Sequence, residues 1–551
     1  MTVEVLLQGL IGGLLMGFVY ALIAAGLSLI FGLMEIVNFA HGEFLMLAMF
    51  ATFWAWALAG LDPLLALPLT AALLFLLGIV VYHGLIRWIL GAPMLAQIFA
   101  TFGLAVFLRS AAQALWGVDF RLVKDPLVSG RISLGGLFIG LPQLVASVGA
   151  LAAFAFLYWL IRKTETGRAL QATAQDRQAA ALMGIDTQWM FALGWGIGAA
   201  CVGVAGALLT IFFYVFPDVG ASFALSPMWR WPWGLRQCPG HPGRRDSGGR
   251  GGGDGRPPHR AHAEVRGGIP DLPGGRALAT TGSLRPLLMP PALRWGLGAL
   301  SLAALLAVPL VVTQPYPRHV FITIFLYATL AQAWNLLAGY CGQISLGHAV
   351  FFGTGAYTSS VLVKELGLTP WAGMAAGVVL AVALSQVIGY PVFRLRGHYL
   401  AIATIAVGEI VQTLMLNWDW VGAARGFFVP IKRPDSFVNF QFHQSKQMYY
   451  YIALGLFLLA LGVARQIERS RTGYYFRAIR EDPEAAASLG IPVAAYKQRA
   501  MAWSAGLTAM GGTFYAQYIL FIDPESVLPL SLSILICLVA VLGGWVPCGG
   551  R

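Results

Sequence analysis

The chain has 551 residues, of which 58% are hydrophobic and 11% charged, with a mean hydropathy of +0.72 and a net charge of +12. A soluble domain carries about 25% charged residues, so this composition excludes a soluble enzyme or binding module and specifies an all-α polytopic membrane protein built of multi-span units. The five cysteines, Cys201, Cys238, Cys341, Cys537 and Cys548, form neither a CxxC pair nor a metal-ligand spacing.

Apolar runs long enough to cross a bilayer as helices, about 20 residues each, are predicted in the first part at 6–33, 44–60, 64–82, 94–115, 141–161 and 189–216. The first run begins almost at Met1, is far longer than a signal h-region and has no early cleavage site, so it reads as a retained helix. It ends in a polar break, EIVNFAHGEF at 35–44, which brings Asn38, His41 and Glu43 into an apolar setting. Broken helices free backbone groups that can meet ions or zwitterions, and half-helix N-termini favour carboxylates. The plainer alternative is a turn whose polar residues satisfy their own backbone. Thr101, in IFATFG, can serve either a pathway or its own helix. After the run at 141–161 come Arg162, Lys163, Arg168 and Arg177, which place this loop on the cytoplasmic side. Residues 166–185 read TGRALQATAQDRQAAALMGI, a short amphipathic helix containing Thr166, Gly167, Asp176 and Gly184.

The character changes at residues 226–286, which hold fourteen Gly, nine Pro and ten Arg against four acids, half of the net charge. Such a composition cannot bury a core and reads either as a disordered linker or as a shifted reading frame. Codon degeneracy favours the second. Met and Trp have one codon each, so MWRWPWG at 228–234, with Arg230 encoded by CGN, reads from the third base of the Met codon as Val-Ala-[Leu/Met/Val]-Ala-[Leu/Met/Val]-Gly. That is membrane sequence, and it matches LVAVLGG at 538–544. From the third base of the Gly544 codon, WVPCGGR can be read as Val-Gly-Thr-Leu-Trp-Gly-Pro. Met289 then marks the start of a second unit. The expected organisation is a first unit at 1–225 without its last spans, the Gly/Pro/Arg-rich segment at 226–286, and a second unit at 287–551 with a truncated C-terminus.

The second unit carries apolar runs at 293–312, 320–338, 371–392, 400–416, 449–463, 502–520 and 528–542. Its polar break, QISLGHAVF at 343–351, aligns with the first and sets Ser345 against Asn38, His348 against His41 and Gly339 against Gly32. Glu409 lies in an otherwise apolar helix, where an ionisable group is costly and usually faces the protein interior or a cavity; a hydrogen bond between helices is the equal alternative. Thr404, in IATIAVG, occupies the place of Thr101. Residues 472–491 read TGYYFRAIREDPEAAASLGI and match 166–185 at nine of twenty positions, 306 residues apart. Thr472, Gly473, Asp482 and Gly490 repeat the earlier four, again after a basic stretch, and Arg168, Arg177, Arg477 and Arg480 are expected to be exposed. A solvated loop is the bland reading, but duplication at matched spacing favours a surface read by a soluble partner.

No Gly-Lys pair exists in the chain, so a phosphate-binding loop is absent. The chain shows no cofactor motif, no Ser-His-Asp arrangement and no metal-ligand cluster, and no catalytic residue is assigned. The Gly/Arg segment lacks the interleaved aromatics of a nucleic-acid-binding tract beyond its first residues.

The first unit, with FGLMEIVNFAHGEFLMLAMF and the 166–185 loop, resembles the first permease subunit of bacterial ATP-binding-cassette importers for branched-chain amino acids. The second, with NLLAGYCGQISLGHAVFFGTGAY, RLRGHYLAIATIAVGEIVQTL and the 472–491 loop, resembles the partner permease of the same importers. The resemblance implies an inner-membrane, multi-pass location, a periplasmic substrate-binding protein, two cytoplasmic ATPase subunits seated on the two loops, and leucine, isoleucine or valine as substrate. Related permeases carry urea or small amides, and a secondary transporter or channel that needs no ATPase is the competing class. The family normally supplies the two permeases as separate chains, so a fusion with a scrambled junction departs from its pattern. Resequencing of the gene is expected to restore a spanning frame downstream of codon 228; confirmation of the present frame through 286 overturns the shifted-frame reading.

Overall fold

The computed structural model describes residues 3–124, 126–134, 137–220, 223, 291–312, 314–395, 397–431, 435–442 and 445–543. The segment at 226–286 and the C-terminal heptapeptide, on which the frame argument rests, lie outside the described residues.

Apolar sequence in lipid must satisfy every backbone polar group internally, and the chain does so with helices. In the first unit these are α1 (Val3–Met34), α2 (His41–Ala59), α3 (Pro63–Val81), α4 (Met94–Trp116), α5 (Leu141–Lys163), the short α6 (Glu165–Gln175) and α7 (Arg177–Leu182), and α8 (Thr187–Leu209). A hairpin of β1 (Arg131–Leu134) and β2 (Leu137–Gly140), antiparallel with Arg131 opposite Gly140, precedes α5. The second unit begins with an additional helix, α9 (Pro291–Val311), and then repeats the plan. Its helices are α10 (Pro315–Ala338), α11 (His348–Glu365), α12 (Pro370–Val392), α13 (His398–Leu416), α14 (Gln447–Arg469), α15 (Arg471–Glu481), α16 (Pro483–Ser488) and α17 (Val493–Ile519), followed by α18 (Pro524–Val527) and α19 (Leu530–Leu542).

The packing repeats with the plan. In the first unit α8 packs on α1, α2 and α3, and in the second α17 packs on α10, α11 and α12. The loop after α4 bridges the segment after α8 at Arg121 and Val215, while β3 (Phe427–Phe428), after α13, pairs with β4 (Phe521–Ile522), after α17. Lipid tails are as apolar as leucine, so helices in a membrane associate through close packing at small residues. Gly206 of α8 shows this: a Cβ there would stand 2.5 Å from the Ala48 Cβ and 3.2 Å from the Leu45 carbonyl of α2. Its counterpart, Gly512 of α17, lies against the Phe352 carbonyl of α11 in the same manner. One apolar cluster crosses between units, joining Leu27, Phe31, Leu95 and Ile98 to the core of the second unit; the rings of Phe31 and Tyr399 lie 6.5 Å apart.

Eleven helices among the described residues are long and apolar enough to cross a membrane, which bears out the all-α polytopic expectation. Of the thirteen predicted runs, 293–312 falls in α9, a helix of 21 residues, and 502–520 falls short of that measure among the described residues, since α17 buries Lys497, Ser504, Thr508, Thr513 and Gln517. The converse miss is α11, a helix of 18 residues absent from the predicted runs. Its sequence is rich in Gly, Ser, Thr and Tyr, and thirteen of its residues are buried in the protein; a helix shielded from lipid is free to be polar.

Both units break between their first two matched helices with the same backbone device. Glu35 has φ +57° and its amide donates to the Phe31 carbonyl at 2.7 Å; Gly342, its aligned counterpart, has φ +72° and donates to Ala338 at 3.0 Å. Glycine adopts that conformation freely, whereas an L side chain is strained there by about 1 kcal/mol or more. Glu35→Gly is therefore expected to raise the thermal midpoint in detergent. Gly342→Glu should lower it, since a Cβ at 342 would meet the Arg480 Cγ at 3.0 Å. A lower midpoint for Glu35→Gly would contradict strain at this position.

Candidate functional site

The two repeated loops fold into hairpins of nearly identical geometry. α5 stops at Thr164, whose hydroxyl accepts from the Gly167 amide at 3.0 Å; α14 stops at Ser470, which accepts from Gly473 at 3.4 Å. Neither Thr166 nor Thr472 is the cap; both lie in the first turn. Gly167 and Gly473 are required sterically: a Cβ on Gly167 would strike the Leu160 and Ile161 carbonyls, and one on Gly473 the Ile467 carbonyl.

Between the two short helices of each hairpin stands the repeated aspartate. Asp176 (φ −153°, ψ 106°) accepts from the Gln178 and Ala179 amides at 2.8 and 3.0 Å; Asp482 (φ −152°, ψ 107°) accepts from Glu484 and Ala485 at 2.8 and 3.1 Å. Each satisfies two of the amides that a helix start leaves open. At the far end Gly184 and Gly490 share φ +84°, with Ile185 donating to Ala180 and Ile491 to Ala486, both at 3.1 Å. This is a Schellman termination, which needs a left-handed residue and so selects glycine.

The repeated aspartates and glycines therefore shape the hairpins, and Asp176 and Asp482 remain exposed while they cap. Leu182 is 88% exposed and Met183 83%, and Leu489, the counterpart of Met183, is 82% exposed. A large apolar residue directly before the terminating glycine is the sequence signal for Met183 and Leu489. The expectation of four exposed arginines is corrected at two. Arg480 is half-buried and donates to the Gly339 carbonyl at 2.9 Å; Arg477 is half-buried and donates to the Glu468 carbonyl at 3.2 Å. Arg168 and Arg177 are exposed, the latter with its guanidinium 5.1 Å from the Phe191 ring centre. Through Arg480 the second hairpin is tied to the helix break itself.

At the breaks, the aligned Asn38 and Ser345 cap their own turns, accepting from Ala40 at 3.0 Å and Gly347 at 3.4 Å. His41 Nε2 lies 3.0 Å from the Ile23 carbonyl and His348 Nε2 2.8 Å from the Ser504 hydroxyl. Both imidazoles are buried. Thr101 of α4 lies 3.1 Å from the Val37 carbonyl, and Thr404 of α13 accepts from the Leu346 amide at 3.0 Å. Each also bonds within its own helix, Thr101 with Gln97 and Ile98 and Thr404 with Ala401. The two threonines thus fasten matched helices to matched breaks.

The units differ in their charges. In the first, the buried Glu43 pairs with Arg109 of α4, and Arg109 Nη1 also lies 3.5 Å from Asp218, beyond α8. Glu43 Oε2 is buried with no hydrogen-bond partner among the described residues. In the second unit, Glu409 of α13 has a buried Oε1 similarly unpartnered. Sequence reading marked Glu43 and Glu409 but missed Arg109 and Asp218. No group of His, Cys, Asp or Glu that could hold a metal ion occurs among the described residues, and Cys201, Cys341 and Cys537 are free and buried.

The family model described as "Branched-chain amino acid transport system / permease component" matches residues 9–229 and 316–550. The chain is 32% identical over 240 residues to the high-affinity branched-chain amino acid transport system permease protein LivM of Escherichia coli K12, covering 40% of this chain and 56% of LivM. It is 31% identical over 227 residues to BraD of Pseudomonas aeruginosa and 31% over 228 residues to LivH of E. coli K12, each covering 39% of this chain and 74% of the relative. The chain thus spans little more than half the length of LivM. No solved structure matches significantly. A profile matched once in each of two units that repeat the same helices, breaks and capped hairpins leaves one conclusion: the chain belongs to the permease-component family of branched-chain amino acid transport systems.

Proposed function

We propose that this chain forms the transmembrane pathway of an ATP-driven importer for branched-chain amino acids in a bacterial inner membrane. Two ABC ATPase subunits dock on the hairpins α6–α7 and α15–α16 and hydrolyse the ATP; a periplasmic binding protein delivers leucine, isoleucine or valine. The two units act as the two permeases of such a system, residues 1–225 and 287–551. The single observation that carries this reading is the pair of hairpins, superposable in cap, backbone angle and termination, each presenting an exposed apolar side chain beyond a polar rim. A solvated loop has no need to present apolar surface twice in one geometry. Docking buries Met183 and Leu489, and closure of the ATPases pushes the hairpins and biases the pathway between two states, as alternating access requires. In the second unit the push reaches the break through Arg480 and the Gly339 carbonyl.

Replacing both Met183 and Leu489 by Glu is expected to reduce ATPase retained on the detergent-solubilised chain by at least about tenfold, since burying an unpaired charge exceeds the 1.4 kcal/mol that a tenfold loss represents. Asp176→Asn with Asp482→Asn should retain the ATPases, because asparagine caps a helix start equally well. Retention by the glutamate pair, or uptake driven by an ion gradient without ATPase, overturns the importer reading in favour of a secondary transporter or channel. Arg480→Gln is expected to leave the ATPases bound while lowering leucine uptake about tenfold, within the range of coupling carried by a single link; unchanged uptake removes Arg480 from the transmission.

A further inference from the structure

The Glu43, Arg109 and Asp218 cluster is unlike the other polar groups of the breaks. Asn38, Ser345, Thr101 and Thr404 answer local backbone groups, whereas this cluster joins three separate segments and has no counterpart in the second unit, where Val350 and Gln412 stand at the places of Glu43 and Arg109. Its three members are held differently. Glu43, with a side chain only 3% exposed, takes the Nε and Nη2 side of the guanidinium and is fixed at the start of α2. Asp218 is 58% exposed, and its contact at 3.5 Å to Nη1 is long for a charge-assisted hydrogen bond. It is nevertheless firmly placed, because Gly220 seats this segment on the Gly42 carbonyl, where no Cβ would fit. Arg109 is 35% exposed. Arg109 lies within Leu95–Trp116, a helix long and apolar enough to span a membrane, where an ionisable group faces the protein interior or a water-filled cavity rather than lipid. α4 is also the helix whose Leu95 and Ile98 join the core of the second unit, so Arg109 stands on an element that borders the space between units.

We propose that Arg109 and Asp218 form a clamp for the headgroup of a zwitterionic α-amino acid, Arg109 receiving the α-carboxylate and Asp218 the α-ammonium. The proposal rests on the reading of the chain as an amino-acid permease and adds to it the chemical group recognised and the residues that do so. Glu43 positions the guanidinium from behind and leaves its Nη1 edge to the substrate. The Arg109 to Asp218 contact is long enough to be exchanged: a zwitterion inserted across it gives each charge a new opposite partner and leaves neither unpaired. A neutral urea or amide offers neither exchange, and a carboxylate without an amine displaces Asp218 without compensating it.

The test is competition for radiolabelled leucine on the full chain in lipid nanodiscs, with 4-methylpentanoate, which lacks the amine, and 3-methylbutylamine, which lacks the carboxylate. The unsubstituted chain should favour leucine over both. Asp218→Asn should weaken leucine by at least about tenfold, the scale of one charge-assisted hydrogen bond, and strengthen 4-methylpentanoate, which then displaces no carboxylate from Arg109. Arg109→Gln is made together with Glu43→Gln so that no charge is left buried alone; this pair should weaken leucine and 4-methylpentanoate and spare 3-methylbutylamine. Equal loss of all three probes, or leucine binding unchanged in both variants, reduces the cluster to a structural tie and overturns the clamp. Leucine uptake in cells separates the two levels: uptake undiminished in both variants removes the clamp and leaves the permease, whereas no uptake by the unsubstituted chain with ABC ATPases and a binding protein removes both.

Discussion

A helix that stops among buried side chains leaves carbonyls and amides with no water to answer them, and everything distinctive in this protein is built around two such stops. Between α1 and α2, and again between α10 and α11, the chain leaves the helix in a left-handed residue and re-enters it at a histidine. Side chains from the break itself, Asn38 and Ser345, take one set of freed groups. Threonines on α4 and α13 take another, which fixes those helices to the breaks. A motion of either helix therefore disturbs buried backbone hydrogen bonds, whose loss is costly. Such a joint favours a few discrete arrangements over continuous sliding, as a transporter needs.

The hairpins are the opposite kind of structure. Their helices are too short to be stable alone, and each is held by caps at both ends and by an inward face of Leu170 and Ala180, or of Phe476, Ile479 and Ala486. The outward face is therefore free of packing duties. Repetition of the capping residues preserves a shape, and that shape presents Met183 and Leu489 in the same way on both units.

Much of this was legible in the sequence, for identifiable reasons. The hairpins announced themselves because cap aspartate, terminating glycine and spacing recur 306 residues apart. The breaks were visible as polar interruptions of apolar runs, with His41 and His348 aligned. α11 was not visible, because hydropathy reports contact with lipid and this helix touches protein. The caps supplied by the repeated residues were also hidden: periodicity marks Asp176 and Asp482, but their hydrogen bonds to the next helix depend on backbone geometry that periodicity does not give. Arg109 escaped notice for another reason. It lies in an apolar run, and its acidic partner Glu43 is 66 residues away on a different helix, a distance that only the fold closes.

The guanidinium of Arg480 reaches the Gly339 carbonyl in the second unit, while the matched position of the first hairpin holds Ala174, an exposed methyl group with no hydrogen to donate. Two hairpins of one shape are thus wired differently to two breaks of one design. On the proposed docking of ATPases, equal strokes from below arrive unequally above: one break is pulled through a charged tether, and the other is moved through its neighbouring helix. Transport by this pair would be a lopsided gait, with one unit leading, and the twofold likeness of the units would describe their ancestry better than their movement.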